Sequence, residues 1–131
     1  MALNIRIERS QNRRQRPDES SLGFGKYFTD HMLLVDWTEE KGWHDARIVP
    51  YGPLALEPSA AVLHYGQELF EGMKAFRGAD GAVRLFRPDM NCRRMNAGAK
   101  RICMPEMDPE TMEALITELV RVDEDWVPRA P

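Results

Sequence analysis

The spacing of apolar residues along the chain changes several times, and each change predicts an element. Met32 to Val35 form an unbroken apolar run of strand length, which predicts a strand over 28–37. The polar stretch that follows ends in Gly42, a residue free to take positive φ. The mixed run "WHDARIVPY" after it predicts a return strand over 43–49, so the two make a hairpin. From Gly52 to Gly66 two prolines and the flanking glycines break any period, which predicts mostly loop. Beyond it, "ELFEGMKAFRG" and "AVRLFRP" flank Gly78-Ala79-Asp80-Gly81 and predict a second hairpin. Gly72 inside its first arm points to a bulge or to a close approach to the backbone.

The period then lengthens. Pro88 suits the first position of a helix, where its missing N–H costs nothing. Cys92, Met95, Ala99 and Ile102 follow at helical spacing and face a core, while Asn91, Arg94, Gly98 and Arg101 make the adjoining stripe. Gly98 costs the helix about 1 kcal/mol relative to alanine, and the reading leaves open space beside Arg94. In "DPETMEALITELVRVDEDW" Asp108 is the expected cap and Pro109 the first helical residue. Met112, Leu115, Ile116, Leu119 and Val120 form the apolar face.

Strand, strand, loop, strand, strand, helix, helix predicts an α+β fold, a small twisted β-sheet of hairpins covered by two helices. Residues 1–21 are polar and arginine-rich without periodicity, which predicts a flexible arm ahead of an ordered domain over 22–131. The 131 residues suffice for one domain with a core of its own. With no apolar signal core at the start and no stretch of membrane-spanning length, the expected location is the cytoplasm. Cys92 and Cys103 have no CxxC spacing and read as reduced thiols rather than a zinc site or disulfide framework. No metal site is expected.

Charge adds one asymmetry to a net of −3. Residues 84–101 hold six basic groups against Asp89, and residues 106–125 hold eight acids against Arg121. Either the basic helix attracts its acidic neighbour, or the basic segment holds an anion. Arg94 is the candidate for the second role, because its planar fork suits a phosphate and Gly98 lies one turn away. Tyr65 and Phe70 read either as core or as walls of an apolar pocket with one polar handle. His64 reads as a structural hydrogen-bonding group, with His31 and His44 weaker still as ligands, and Lys74 as an exposed or paired strand lysine. No GxSxG, P-loop or HExxH motif occurs.

The stretches "FGKYFTDHMLLVDW" (24–37), "ARIVPYGPLALEPSAAVLHYGQELFEGMKAFRG" (46–78) and "VRLFRPDMNCRRMNAGAKRICMPE" (83–106) resemble the N-terminal part of branched-chain amino acid aminotransferases. These are pyridoxal-phosphate enzymes of fold type IV, and the likeness runs over about residues 22–128. The resemblance implies that Arg94 holds the cofactor phosphate and that Phe24, Tyr65 and Phe70 line the slot for an aliphatic substrate side chain. Gly98 stands where a serine or another small residue is expected.

The Schiff-base lysine that carries the cofactor, and the acid partner of its pyridine nitrogen, belong in this family to a larger domain downstream. The resemblance therefore implies a truncated N-terminal small domain, catalytic only in the complete enzyme, with no catalytic residue among its own. That enzyme would act on leucine, isoleucine or valine with 2-oxoglutarate as a homodimer. D-amino acid aminotransferases and aminodeoxychorismate lyases share the fold and are the nearest alternative. A non-catalytic interaction module and an anion or nucleic-acid binder using the 84–101 segment are the others. The acidic helix next to that segment argues against nucleic acid.

Overall fold

The computed structural model describes residues 4–129. A long hairpin forms its frame: β2 (His31–Thr38) pairs antiparallel with β3 (Gly42–Pro50) from His31↔Pro50 to Thr38↔Gly42. Gly42 takes φ +63 at the turn, the left-handed conformation its position requires. The register shifts between Leu34 and Asp36, and Asp45 on the facing strand has φ +48, so a bulge coils this end of the ribbon.

The described part of the segment predicted to be a flexible arm is tied down instead. β1 (Arg6–Ile7) adds to β3 in parallel, with Arg6 opposite Arg47 and Ile7 opposite Ile48. Farther on, the Ser10 N–H donates to His31 Nε2 at 2.8 Å, and the Arg14 N–H donates to Asp30 at 2.7 Å. Arg13 pairs with Asp30 and Asp125, and the Arg14 guanidinium lies 4.7 Å over the Tyr51 ring. Two paired residues leave no period in a sequence, and the groups that hold Arg13, Arg14 and Arg16 lie far along the chain.

A five-residue helix, α1 (Ala61–Tyr65), interrupts the predicted loop and ends on Gly66 at φ +59. The second hairpin is shorter than predicted: β4 (Ala75–Arg77) pairs with β5 (Val83–Leu85) as a separate two-stranded sheet. α2 (Pro88–Arg101) and α3 (Pro109–Val122) follow as predicted, with Asp108 accepting the Thr111 N–H at the start of α3. The α+β class therefore stands, with two small sheets in place of one and a third, short helix.

Ala46 on β3, Met107 in the α2–α3 turn and Leu115 on α3 form the central cluster, packed by Ile5, Leu33, Val35, Trp43 and Met112. Ile48 is wholly buried, and Cys92 and Ala99 bury the predicted face of α2. The turn joining the helices is clamped by one side chain. Asn96 Nδ2 donates to the Met107 carbonyl at 2.6 Å, and its Oδ1 accepts the Met107 N–H at 3.0 Å. The accessible surface is 10054 Å², well above the roughly 7,100 Å² that a folded monomer of this mass exposes. Much apolar area is left uncovered.

Candidate functional site

Arg94 projects from the second turn of α2, with 69% of its side chain exposed. Beside it runs the extended segment that precedes β4. Gln67 Nε2 donates to the Ile102 carbonyl at 2.7 Å, the Leu69 side chain covers Gly98, and Glu71 meets Arg94 and Asn91. The segment thus descends α2 antiparallel, and alternate residues touch it. Gly98 is not beside open space: a Cβ there would stand 3.0 Å from Leu69 Cδ2. Its missing side chain leaves Leu69 room to lie against the helix. The stripe of Asn91, Arg94 and Gly98 is a seat for residues 67–72.

The same alternation turns Phe70 away from α2, 91% exposed, with its ring 3.7 Å from where a Gly72 Cβ would stand. Lys74 and Phe76 continue the exposed set. Beneath Phe70 the flank of the segment is an apolar groove, walled by Leu69, Met73, Met95, Met112 and Ile116. Tyr65, at the end of α1, is 86% exposed, and Phe24 is 99% exposed. Arg94 and Phe70 therefore flank one segment, joined through Glu71. Phe24 and Tyr65 stand free of any enclosing wall, so the four predicted site residues are not gathered into one closed pocket.

Glu71 is the residue that sequence reasoning missed. Its carboxylate accepts from Arg94 Nε at 2.7 Å, from Arg94 Nη2, from Asn91 Nδ2 at 2.9 Å and from the Gly72 N–H at 3.0 Å. The Arg94 guanidinium, followed by the Asn91 amide, draws its pKa down to about 2. Arg94 in turn is held more firmly protonated by the same bond. The only local signal is the period-two pattern from Leu69 onward, which puts Glu71 on the face opposite Phe70.

The charge asymmetry has a local resolution. Arg84 pairs with Asp80, Arg93 with Asp89 and Arg94 with Glu71. Among the described residues no ion pair joins α2 to α3. His64 Nε2 donates to the Pro58 carbonyl at 2.6 Å, a structural role. His31 donates through Nδ1 to Asp123 at 2.6 Å, both side chains buried, and its other ring nitrogen accepts from Ser10. No group of three or more potential metal ligands occurs among the described residues. No helix among them is long and apolar enough to cross a membrane.

Comparison with known proteins gives this geometry a context. No family model matches the chain. It is 50% identical over 129 residues to branched-chain-amino-acid transaminase 1 of Bacillus subtilis (strain 168), covering 97% of the chain and 36% of that protein. It is 53% identical over 108 residues to the branched-chain-amino-acid aminotransferase of Mycolicibacterium smegmatis, covering 82% of the chain and 29% of that protein. To the cytosolic branched-chain-amino-acid aminotransferase of Saccharomyces cerevisiae it is 50% identical over 127 residues, 97% of the chain and 34% of that protein. The chain spans about a third of the length of these relatives. Half of its positions are thus shared, over nearly its whole length, with proteins of bacteria and yeast alike, and the chain belongs to the branched-chain amino acid aminotransferase family.

Proposed function

We propose that the chain is the N-terminal, small-domain portion of a fold type IV branched-chain amino acid aminotransferase. The whole protein would move the amino group of leucine, isoleucine or valine to 2-oxoglutarate. The observation that carries this reading is identity of 45–53% to transaminases over most of the chain.

Arg94 fits the phosphate of pyridoxal phosphate. Its guanidinium is exposed, and among the described residues its Nη1 has no protein partner while Nε and Nη2 are taken by Glu71. A phosphate would therefore be received on the Nη1 side, where the fork still has donors to offer. When bound, the cofactor supplies the electron sink for the bond broken at the substrate Cα.

The remaining work of this chain is shaping. Phe24, Tyr65 and Phe70 hold out apolar area to water, and burying a phenylalanine side chain is worth about 1.5–3 kcal/mol. Enclosed by the rest of the protein or by a second subunit of a homodimer, they would form a dry slot for an aliphatic side chain. The lysine that carries the cofactor and moves the substrate proton would come from the remaining length of the protein. Cytosolic placement follows the same reading, in keeping with the name of the yeast relative.

The test is complementation. The chain is mixed with the remaining part of the B. subtilis relative, pyridoxal phosphate is added, and leucine is assayed with 2-oxoglutarate. Activity that appears on mixing and collapses with Arg94→Ala is the expected result. Two folded partners that associate yet give none would refute it.

A further inference from the structure

Among the described residues three ion pairs involve the basic residues around α2, and one is built differently. In Arg84–Asp80 and Arg93–Asp89 both partners are largely exposed, as solvated pairs usually are. In Arg94–Glu71 the arginine is 69% exposed and the glutamate only 13%. The carboxylate faces inward, fixed by Asn91 and the Gly72 N–H as well as by Arg94, while the guanidinium faces out. Asn91 Nδ2 also donates to the Gly72 carbonyl at 2.9 Å, so the backbone behind the carboxylate is pinned to α2. Leu69 over Gly98 fixes the segment one helical turn away.

A free arginine on a helix sweeps many rotamers, and ordering it on a ligand costs that entropy. Here the cost is met before any ligand arrives. With both Nε and Nη2 engaged by one carboxylate, the guanidinium plane is fixed and Nη1 is left pointing away from Glu71. We propose that Glu71 is the positioning residue of the site: it sets the plane of Arg94 and presents the Nη1 edge to the phosphate group of the cofactor. This rests on the reading of Arg94 given above.

The assembled protein of the complementation experiment carries the test. Kd is measured by cofactor absorbance for pyridoxal phosphate and for pyridoxal, which lacks the phosphate. Variants are Glu71→Gln, which keeps shape and loses charge, and Arg94→Ala. Glu71→Gln is expected to raise the Kd for pyridoxal phosphate on the order of tenfold, the effect of losing a charged hydrogen bond, and to leave the Kd for pyridoxal unchanged. Arg94→Ala should do the same more strongly. A merely structural role would weaken both ligands alike and overturns the proposal. So does tighter binding of pyridoxal phosphate by Glu71→Gln, which would make Glu71 a competitor for the phosphate seat. If Arg94→Ala leaves the phosphate preference intact, the phosphate role of Arg94 fails first. If Arg94→Ala abolishes it and Glu71→Gln does not, only the positioning role fails. A second measurement needs no assembly: in the 131-residue chain the Arg94 Nε–H should exchange slowly by NMR and lose that protection in Glu71→Gln. Fast exchange in the unsubstituted chain would also sink the idea.

Discussion

The two helices that carry and support the site are joined by a turn whose backbone leans on one amide. Asn96→Ala removes both bonds to Met107 and leaves that residue's N–H and carbonyl without their partner beside a buried side chain. Each orphaned group costs about 1–3 kcal/mol when water does not replace the partner. Partial access of water at this half-buried position puts the total near 3 kcal/mol. An unfolding entropy of about 2.1 cal/mol/K per residue, over 131 residues, makes about 280 cal/mol/K. The expected fall in Tm is therefore about 10 °C, read by circular dichroism at fixed protein concentration. Hydrogen exchange at the Met107 amide should accelerate at temperatures where the helices remain folded. A Tm shift under about 2 °C, or unchanged exchange at Met107, would refute the claim that Asn96 holds the turn. The functional consequence follows from position: α2 presents Arg94, and its packing on α3 runs through this turn.

The remaining expectations concern the core, the exposed aromatics, the acid limit and the helix start. Ile48→Ala should cost about 2–5 kcal/mol in urea denaturation, because Ile48 is wholly buried. Phe24→Ala and Phe70→Ala should each change stability by less than about 0.5 kcal/mol. A larger loss in either would mean the aromatic belongs to the core of this chain rather than to a surface awaiting a partner. Glu71 has a folded pKa near 2, below its ordinary value of 4.5. Its contribution is thus fully present above about pH 4.5 and is lost as pH falls toward 2. Protection of the backbone at 67–72 should persist at pH 4 and fade near pH 2, and loss already at pH 5 would contradict the pairing. Asp108→Ala removes the acceptor for the Thr111 N–H and should cost about 1 kcal/mol, measured by the same denaturation.

How far the sequence reaches differs from element to element. The β2–β3 hairpin, α2 and α3 were legible because each is amphipathic or apolar at its own period and is punctuated by Gly42, Pro88, Asp108 and Pro109. The core-facing positions Cys92, Ala99 and Leu115 were legible for the same reason, as was the stripe that sets Arg94 beside Gly98. What failed depended on the path of the chain. β1 is two residues paired in parallel with residues 41 positions away, too short to carry a period. The first segment read as a flexible arm because the partners that hold it, Asp30 and Asp125 for Arg13 and Tyr51 for Arg14, are remote in sequence.

The site divides along the same line. Periodicity alone determined that Asn91, Arg94 and Gly98 share a stripe, since a helix's geometry repeats wherever it sits. It left unknown what lies on that stripe. Only the tertiary structure decided that residues 67–72 descend it, that Leu69 fills the space at Gly98, and that Glu71 closes on Arg94 across 23 positions of chain. Local rules describe the face an element presents. Which partner meets that face is settled by loop closure and packing, and no window of sequence contains both sides.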